Sequence, residues 1–394
     1  MAYPLDGVKV LDLCRVLAGP FAGRMLADLG ADVVKVEPPE GDVTRTFGKR
    51  PQTAYFRQQN AGKRSITVDL RDPDGCALVR RLAATADIVL ENFRPGIMAR
   101  YGLAWSDLSA LNPRLVMLSI SGFGQDGPER DRASYAGVIH AETGVVARRR
   151  TPDGGLPLDI EISMADTVTG LHGVVGVLAA LRLRDQLGVG QHIDMAMIDA
   201  MAFTDDYLPN EVAAAQARRR REEDGGSGER ATSAEDAGAD HLRASPNEII
   251  DAPGGPVIVM GEFKWIWKSI HERLGVADPT PPGASLGAKV AARKQAWRDF
   301  YTSFATRAEL LAALDRANLA WGIVTAGADA LSSPTLAHRG SVVEIDDPED
   351  PYTVVRAPYR FSAAEAGVRA GAPRQGEHRA EILADWLGEV SPAP

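Results

Sequence analysis

Residues 1–200 alternate short apolar runs with amphipathic stretches of helical period, and few architectures tolerate that alternation. The runs "VKVLDL", "ADVVKVE", "SITVDL", "DIVLENF" and "RLVMLSIS" read as strands, with "GPFAGRMLADLG", "PDGCALVRRLAATA" and "WSDLSALNP" as helices between them. Strands rich in Val, Ile and Leu, separated by such helices, are those of a parallel sheet with helices on both faces. The expected fold class is α/β, with a large Rossmann-like, doubly wound domain over residues 1–200. A long helix near Ser163–Gln186 and the run "GQHIDMAMIDAMAF" complete it.

The second half is organised differently. "ARRRREEDGGSGERATSAEDAGADH", Ala217–His241, has no apolar period and mixes charge with Gly and Ala, so it reads as an exposed linker within residues 201–245. Residues 246–330 carry a strand ("PVIVM"), amphipathic helices ("FKWIWKSIHERLG", "KQAWRDFYTSFATRAELLAALDRANL") and a short strand ("WGIVTA"), a smaller α/β domain. "APGGP", Ala252–Pro256, has the residues of a hairpin turn. Residues 331–394 resemble two antiparallel strands and a closing helix, "HRAEILADWLG", that return to the large domain.

Charge and cysteine content bound the function. A net charge of −9 argues against general binding to nucleic acid or anionic membranes. The two cysteines, Cys14 and Cys76, make neither a disulfide framework nor a metal cluster. The start "MAYPLDGVKVLDL" lacks a signal peptide's basic and apolar regions, and the apolar helical pattern around Leu171–Leu183 is short for a membrane span. These features lead us to expect a cytoplasmic protein.

Two stretches carry the chemistry. "SGFGQDGP" spells Gly122-x-Gly124-x-x-Gly127 after a strand, the form of a dinucleotide fingerprint. The following "PERDRASYAG" has no apolar face with which to dock a helix, and the first strand, where such a motif belongs, lacks it. The loop reads instead as a tight turn whose backbone amides can form an anion nest. In "ISMADTVTGLHGVVGVLAALRLR", Gly170, Gly173 and Gly176 recur every third residue of a helix. Each costs about 1 kcal/mol relative to Ala, which makes sense where a backbone or a ligand comes very close. Asp166 lies one turn before Gly170 on the same face. Ser163-x-x-Asp166 is also a capping-box-like signature, so helix capping and catalysis both stand as readings of this aspartate.

The chain resembles the class III CoA-transferases, the CaiB/BaiF family, which includes formyl-CoA transferases and α-methylacyl-CoA racemases. The markers are "PLDGVKVLDL", "AGPFAGRMLADLGADVVKVEPP", "NAGKRSITVDL", "ENFRPG", "LNPRLVMLSISGFGQDGP" and "ADTVTGLHGVVGVLAALRLRDQLGVGQHIDMAMIDA", in that order. The resemblance implies that Asp166 is a nucleophile exchanging CoA between two carboxylic acids through a covalent aspartyl intermediate. CoA and acyl-CoA are then substrates, a carboxylic acid is the other partner, no cofactor is permanently bound, and the chain forms an interlocked homodimer. The implied CoA contacts are Val16, Leu17, Ala18, Val68, Arg71, Asn92, Phe93, Arg100 and Tyr101, with Lys63, Arg64 and Arg94 nearby.

Some positions depart from the family. Pro38 stands where many members carry an arginine, so Arg45 or Lys63 is expected to serve the phosphates. Leu17 stands where formyl-CoA transferases have glutamine, which argues against formate–oxalate exchange. Tyr135 stands where racemases have their histidine, the choice of transferases, while Ala136 replaces the usual aspartate. His140 is an auxiliary candidate and the base that a racemase or isomerase would need; the amides of Gly122–Gly127, including Gly124, are candidate oxyanion donors. A non-catalytic acyl-CoA-binding relative is the second alternative.

Overall fold

The computed structural model describes residues 2–47, 52–149, 155–223 and 248–389. Its centre is a sheet of six parallel strands: β1 (Lys9–Asp12), β2 (Asp32–Glu37), β3 (Arg64–Thr67), β4 (Ile88–Glu91), β5 (Val116–Ser121) and β6 (Gln191–Ala196). Their order is β3-β2-β1-β4-β5-β6, the doubly wound arrangement that reverses direction between β1 and β4. Successive residues of each strand feed opposite layers. Val10, Ile88, Leu90, Val116 and Leu118 pack in one core with α1 (Ala18–Asp28). Leu11, Val34, Ile66, Val89 and Met117 pack in the other with α3 (Pro73–Thr85). This two-sided burial accounts for the apolar runs that predicted a parallel sheet.

The long helix α8 (Met164–Leu187), read from sequence near Ser163–Gln186, is long enough to cross a membrane, and its most apolar stretch has a mean hydropathy of 1.5. It lies in the first core, where Ala165, Val174, Val177 and Leu181 are buried. Its glycine stripe faces protein. A Cβ on Gly170 would sit 2.6 Å from the Ala18 carbonyl oxygen and 2.9 Å from Phe21 Cδ1. One on Gly173 would meet Leu118 at 2.8 Å, and one on Gly176 would meet Ile193 at an ordinary 3.4 Å. Close backbone approach, at the start of α1, is thus what the first glycine serves.

The chain divides into two compact units, residues 1–208 with 334–394, and residues 209–333. In the first, β10 (Val342–Ile345) and β11 (Tyr352–Val355) pair antiparallel, and the closing helix Arg379–Leu387 puts Ile382 and Trp386 into the second core. Trp386 Nε1 donates to Asp32 at 2.8 Å, and Gly62 N–H donates to the Ala370 carbonyl at 2.9 Å. The C-terminal segment therefore covers the β3 edge of the sheet.

The second unit is an antiparallel sheet β7-β8-β9 (Glu248–Ile250, Val257–Met260, Ala320–Ile323), with helices contributing Ile266, Ile270, Trp297, Tyr301, Leu310 and Leu314 to its core. Ala217–Glu223, read as linker from sequence, is instead the end of helix α10 (Leu208–Glu223). Arginine and glutamate favour helix even without an apolar face. The rest of the Ala217–His241 segment lies outside the described residues.

Gly170→Ala is expected to push α8 off the start of α1 and cost about 1–3 kcal/mol, whereas Gly176→Ala is expected to be neutral or stabilising by up to about 1 kcal/mol. Urea or thermal unfolding of the two variants distinguishes them.

Candidate active site

The site begins where β1 ends. Five residues, Leu13–Leu17, lead from β1 into α1 without regular structure, and side chains hold their backbone. Asp12 Oδ1 accepts from the Cys14 amide at 2.9 Å, and Lys35 Nζ donates to the Cys14 carbonyl at 2.9 Å. Asn92 accepts from the Arg15 amide and donates to the Arg15 carbonyl, both at 2.8 Å. Val16 then takes φ +67°, a left-handed conformation that a β-branched residue adopts only when its surroundings enforce it. Beneath the turn, Lys63–Asp12 (2.8 Å), Lys35–Asp42 (2.9 Å) and Arg45–Glu37 (2.7 Å) are buried ion pairs.

On one side of this turn a cavity of about 420 Å³ is lined by Val16, Leu17, Val43, Phe47, Tyr55, Tyr135, Ala136, Gly137, Ser163 and Asp166. Asp166 stands in the first turn of α8 and is half-buried. Burial pushes its pKa up to about 6, while the Ala18 amide, the nearby His140 ring, the Ala136 amide and its own backbone amide pull it down. Tyr55 stands close enough for that charge to raise its own pKa: burial first, and Asp166 second, push the phenol up to about 12. Tyr135 is 70% exposed. The capping-box reading of Ser163 does not hold, because its side chain makes no capping hydrogen bond.

On the other side, a cleft of about 350 Å³ opens at the carboxyl ends of β1 to β4, the sheet's switch point. Val68, Arg71, Phe93, Arg94 and Tyr101 line it, together with Arg15 and Pro38. Arg71 pairs with Asp69 (2.7 Å) and Glu40 (3.2 Å), while the Arg15 guanidinium sits 5.2 Å from the centre of the Phe93 ring. Below the cleft, Glu91 is buried, its pKa pushed by burial up to about 7, and its Oε2 accepts from the Phe93 amide at 2.9 Å.

The other sequence candidates fall elsewhere. Lys63 is enclosed by Asp12, Pro20 and Asn60, and burial pulls its pKa down. Arg45 is spent on Glu37 and the Pro373 carbonyl. Neither lines the cleft, so the expectation that one of them replaces an arginine at Pro38 is corrected; the cations that share the cleft with Pro38 are Arg15, Arg71 and Arg94. Arg64 holds Asp32 and Asp385. Asn92 serves the turn, and Arg100 is exposed outside both cavities. Ala18 contributes its amide. The loop with Gly124 lines neither cavity: Gly122 lies against Ser134, and the Gln125 amide is taken by Asp194 at 3.0 Å. The amides facing Asp166 come from Ala18 and Ala136 instead.

His140 is 1% exposed, with both ring nitrogens engaged: Nδ1 lies 2.9 Å from Asp159 Oδ1, and Nε2 accepts from the Ala165 amide at 3.0 Å. Neither is available as a base for a bound substrate. Arg15, Val43, Phe47 and Tyr55 were not singled out from sequence. Arg15 carried a usable signal, a cation directly after the first strand; the other three carry none.

The CoA-transferase family III profile matches residues 5–379. Succinate–glutarate CoA-transferase of Agrobacterium fabrum is 35% identical, over 97% of this chain and 95% of its own. Succinyl-CoA–D-citramalate CoA-transferase of Chloroflexus aurantiacus is 33% identical, over 98% and 94%. The crystal structure of a CaiB/BaiF family protein from Brucella suis superposes with a TM-score of 0.76 at 36% identity, covering 98% of this chain and all of that one. The order of strands, the cleft at their reversal and likeness along almost the whole chain agree, and the chain belongs to CoA-transferase family III, an enzyme of the class III CoA-transferases.

Proposed function

We propose that the enzyme exchanges CoA between two carboxylic acids through a covalent intermediate on Asp166. The observation that carries this reading is the placement of the Asp166 carboxyl in a cavity facing the amides of Ala18 and Ala136, across one turn from a cleft lined by Arg15, Arg71 and Arg94 together with Glu40 and Asp69, the two partners of Arg71. The adenosine and phosphates of an acyl-CoA occupy the cleft against Arg15, Arg71 and Arg94, and the pantetheine crosses the Arg15–Leu17 turn to bring the thioester to Asp166. Arginine suits this task because its charge and planar donors persist at any relevant pH.

An ionised Asp166 oxygen attacks the thioester carbonyl carbon, the C–S bond breaks, and CoA thiolate leaves behind an acyl–aspartyl anhydride. The thiolate attacks the aspartyl carbonyl, forming an aspartyl-CoA thioester and releasing the first acid. The second carboxylate attacks that thioester and expels the thiolate, which returns to the new acyl carbonyl and restores Asp166. Each step exchanges one carbonyl–heteroatom bond for another, and the electrons balance among the acids, the thiol and one carboxyl. The cavity amides are the donors for the tetrahedral oxyanions. Racemisation pairs a histidine with the aspartate at the α-carbon, and the engagement of both His140 nitrogens weighs against that reading.

The named relatives suggest succinyl-CoA with glutarate or citramalate as the first donor and acceptors to try. The homodimer implied by the family resemblance has a suitable face: Leu171, Val175 and Leu178 are exposed at helical spacing on α8, beside a Phe203 that is 81% exposed. The reaction belongs in the cytoplasm, where CoA esters are made and used.

Asp166→Asn is expected to abolish transfer and the hydroxylamine-trappable acyl-enzyme while acyl-CoA still binds; retained transfer would sink the proposal. The folded-state pKa of Asp166 is raised, so between about pH 4 and 6 the native state holds the proton better than the unfolded chain, and above that range ionisation costs stability. At pH 8 the same variant is therefore expected to be more stable than the native protein, by about 1–3 kcal/mol in thermal or urea unfolding. In the native enzyme the rate of acyl-enzyme formation is expected to fall about tenfold per pH unit below pH 6, read by stopped-time trapping. Arg15→Ala is expected to raise KM for acyl-CoA by about 5–30-fold with little change in kcat, a loss of about 1–2 kcal/mol.

A further inference from the structure

Helix α8 begins with an unusual cap. The first amides of a helix have no partner within it, and the N-cap side chain ordinarily accepts from the second or third residue. Ser163 occupies the N-cap and makes no such bond. The acceptor comes from another helix: His140, in the last turn of α6 (Ala136–Glu142), places Nε2 3.0 Å from the amide of Ala165, the second helical residue. Ala165 is fully buried, so water cannot serve that amide. The next residue is Asp166.

Asp159 sets the state of the histidine. Nε2 must be the unprotonated nitrogen to accept from an amide, so Nδ1 carries the hydrogen and donates to Asp159 Oδ1 at 2.9 Å. Asp159 is itself held. Its Oδ1 also accepts from the Ile160 amide at 2.8 Å, and its carbonyl accepts from Arg149 at 2.7 Å. α6 approaches the carboxylate through Gly137, where a Cβ would lie 2.9 Å from Oδ2. α6 also begins at Ala136, whose amide faces the Asp166 carboxyl. One short helix thus bonds the backbone before Asp166 at its far end and turns its first amide toward the Asp166 carboxyl at its near end.

We propose that His140 and Asp159 are positioning residues for the nucleophile: they fix the first turn of α8 so that the Asp166 carboxyl lies against the Ala18 and Ala136 amides and in line with an incoming thioester carbonyl. The inference rests on Asp166 as the nucleophile. It assigns His140 no contact with substrate and no proton transfer. A carboxyl displaced by about 1 Å loses on the order of 100-fold in rate, while the cleft that holds CoA is untouched.

The test compares His140→Leu, which fills the space without an acceptor, with His140→Gln, whose amide oxygen reaches the place of Nε2. In steady-state transfer and in hydroxylamine trapping of the acyl-enzyme, His140→Leu is expected to lose about 30–100-fold in kcat with KM for acyl-CoA within about twofold. His140→Gln is expected to recover kcat to within about fivefold of the native enzyme. A His140→Leu enzyme with native kcat, or a folded His140→Gln enzyme as slow as His140→Leu, overturns the proposal. Should His140→Leu fail to fold, Asp159→Leu, at a side chain that is 44% exposed, reads the same arrangement. Its kcat is expected to fall about tenfold at unchanged KM, and native kcat overturns the inference. Asp166→Ala, assayed alongside, separates the two levels. Transfer retained there removes the nucleophile and this inference together; a dead Asp166→Ala beside a native-like His140→Leu removes only the inference.

Discussion

The turn from β1 into α1 is the constraint on which the rest of the large unit depends. It is irregular, contains a left-handed valine and separates two cavities, so no secondary structure can hold it. Four side-chain hydrogen bonds to the backbone of Cys14 and Arg15 do so, from Asp12, Lys35 and both ends of the Asn92 amide. Asp12 and Lys35 can serve only because they are themselves neutralised, by Lys63 and Asp42. A buried ion pair of this kind is a poor source of stability, since desolvation consumes most of the attraction. Here its effect is geometric: it presents Arg15 to one cavity, and Val16, Leu17 and the Ala18 amide to the other.

Much of this fold was legible in the chain. Apolar runs of strand length separated by helical periods gave a parallel sheet, because few other arrangements bury both faces of so many strands. Local pattern cannot say which polar residues go inside. In "ADVVKVE" the lysine and glutamate look like the solvent face of a strand, yet Lys35 and Glu37 are both buried, with partners contributed by the segment after β2. Lys63 was expected to serve phosphates in place of an arginine at Pro38; its partner, Asp12, is 51 residues away in sequence. The glycine stripe was ambiguous in kind: close packing against a backbone and close packing against a ligand leave the same trace, and only the Gly170–Ala18 approach separates them. Arg15 was one residue from the motif positions that drew attention. Phe47 and Tyr55 enter the cavity from a segment with no periodicity at all.

As the proposed nucleophile, Asp166 would show a tension common in active sites. An aspartate in water is a weak nucleophile because solvent stabilises its charge; partial burial removes some of that solvation and leaves a more basic oxygen. The helix start and the Ala18 and Ala136 amides limit the penalty, so the carboxyl remains ionised at neutral pH rather than picking up a proton. A fully apolar pocket would neutralise it, and an open one would leave it inert.

The C-terminal residues lie along the β3 edge, with Ala370 bonded to Gly62, Gly376 and His378 to Ser65, and Trp386 to Asp32. On a ribosome, strand β3 emerges some 300 residues before the residues that cover it, and the whole second unit is synthesised in between. The nascent large unit therefore carries an uncapped strand for tens of seconds at ordinary elongation rates of about 5–20 residues per second. That interval, rather than the finished protein, is when this chain is most open to pairing with a neighbour on the same messenger RNA, and a shortened gene product ending before residue 370 would carry the same bare edge for its whole life.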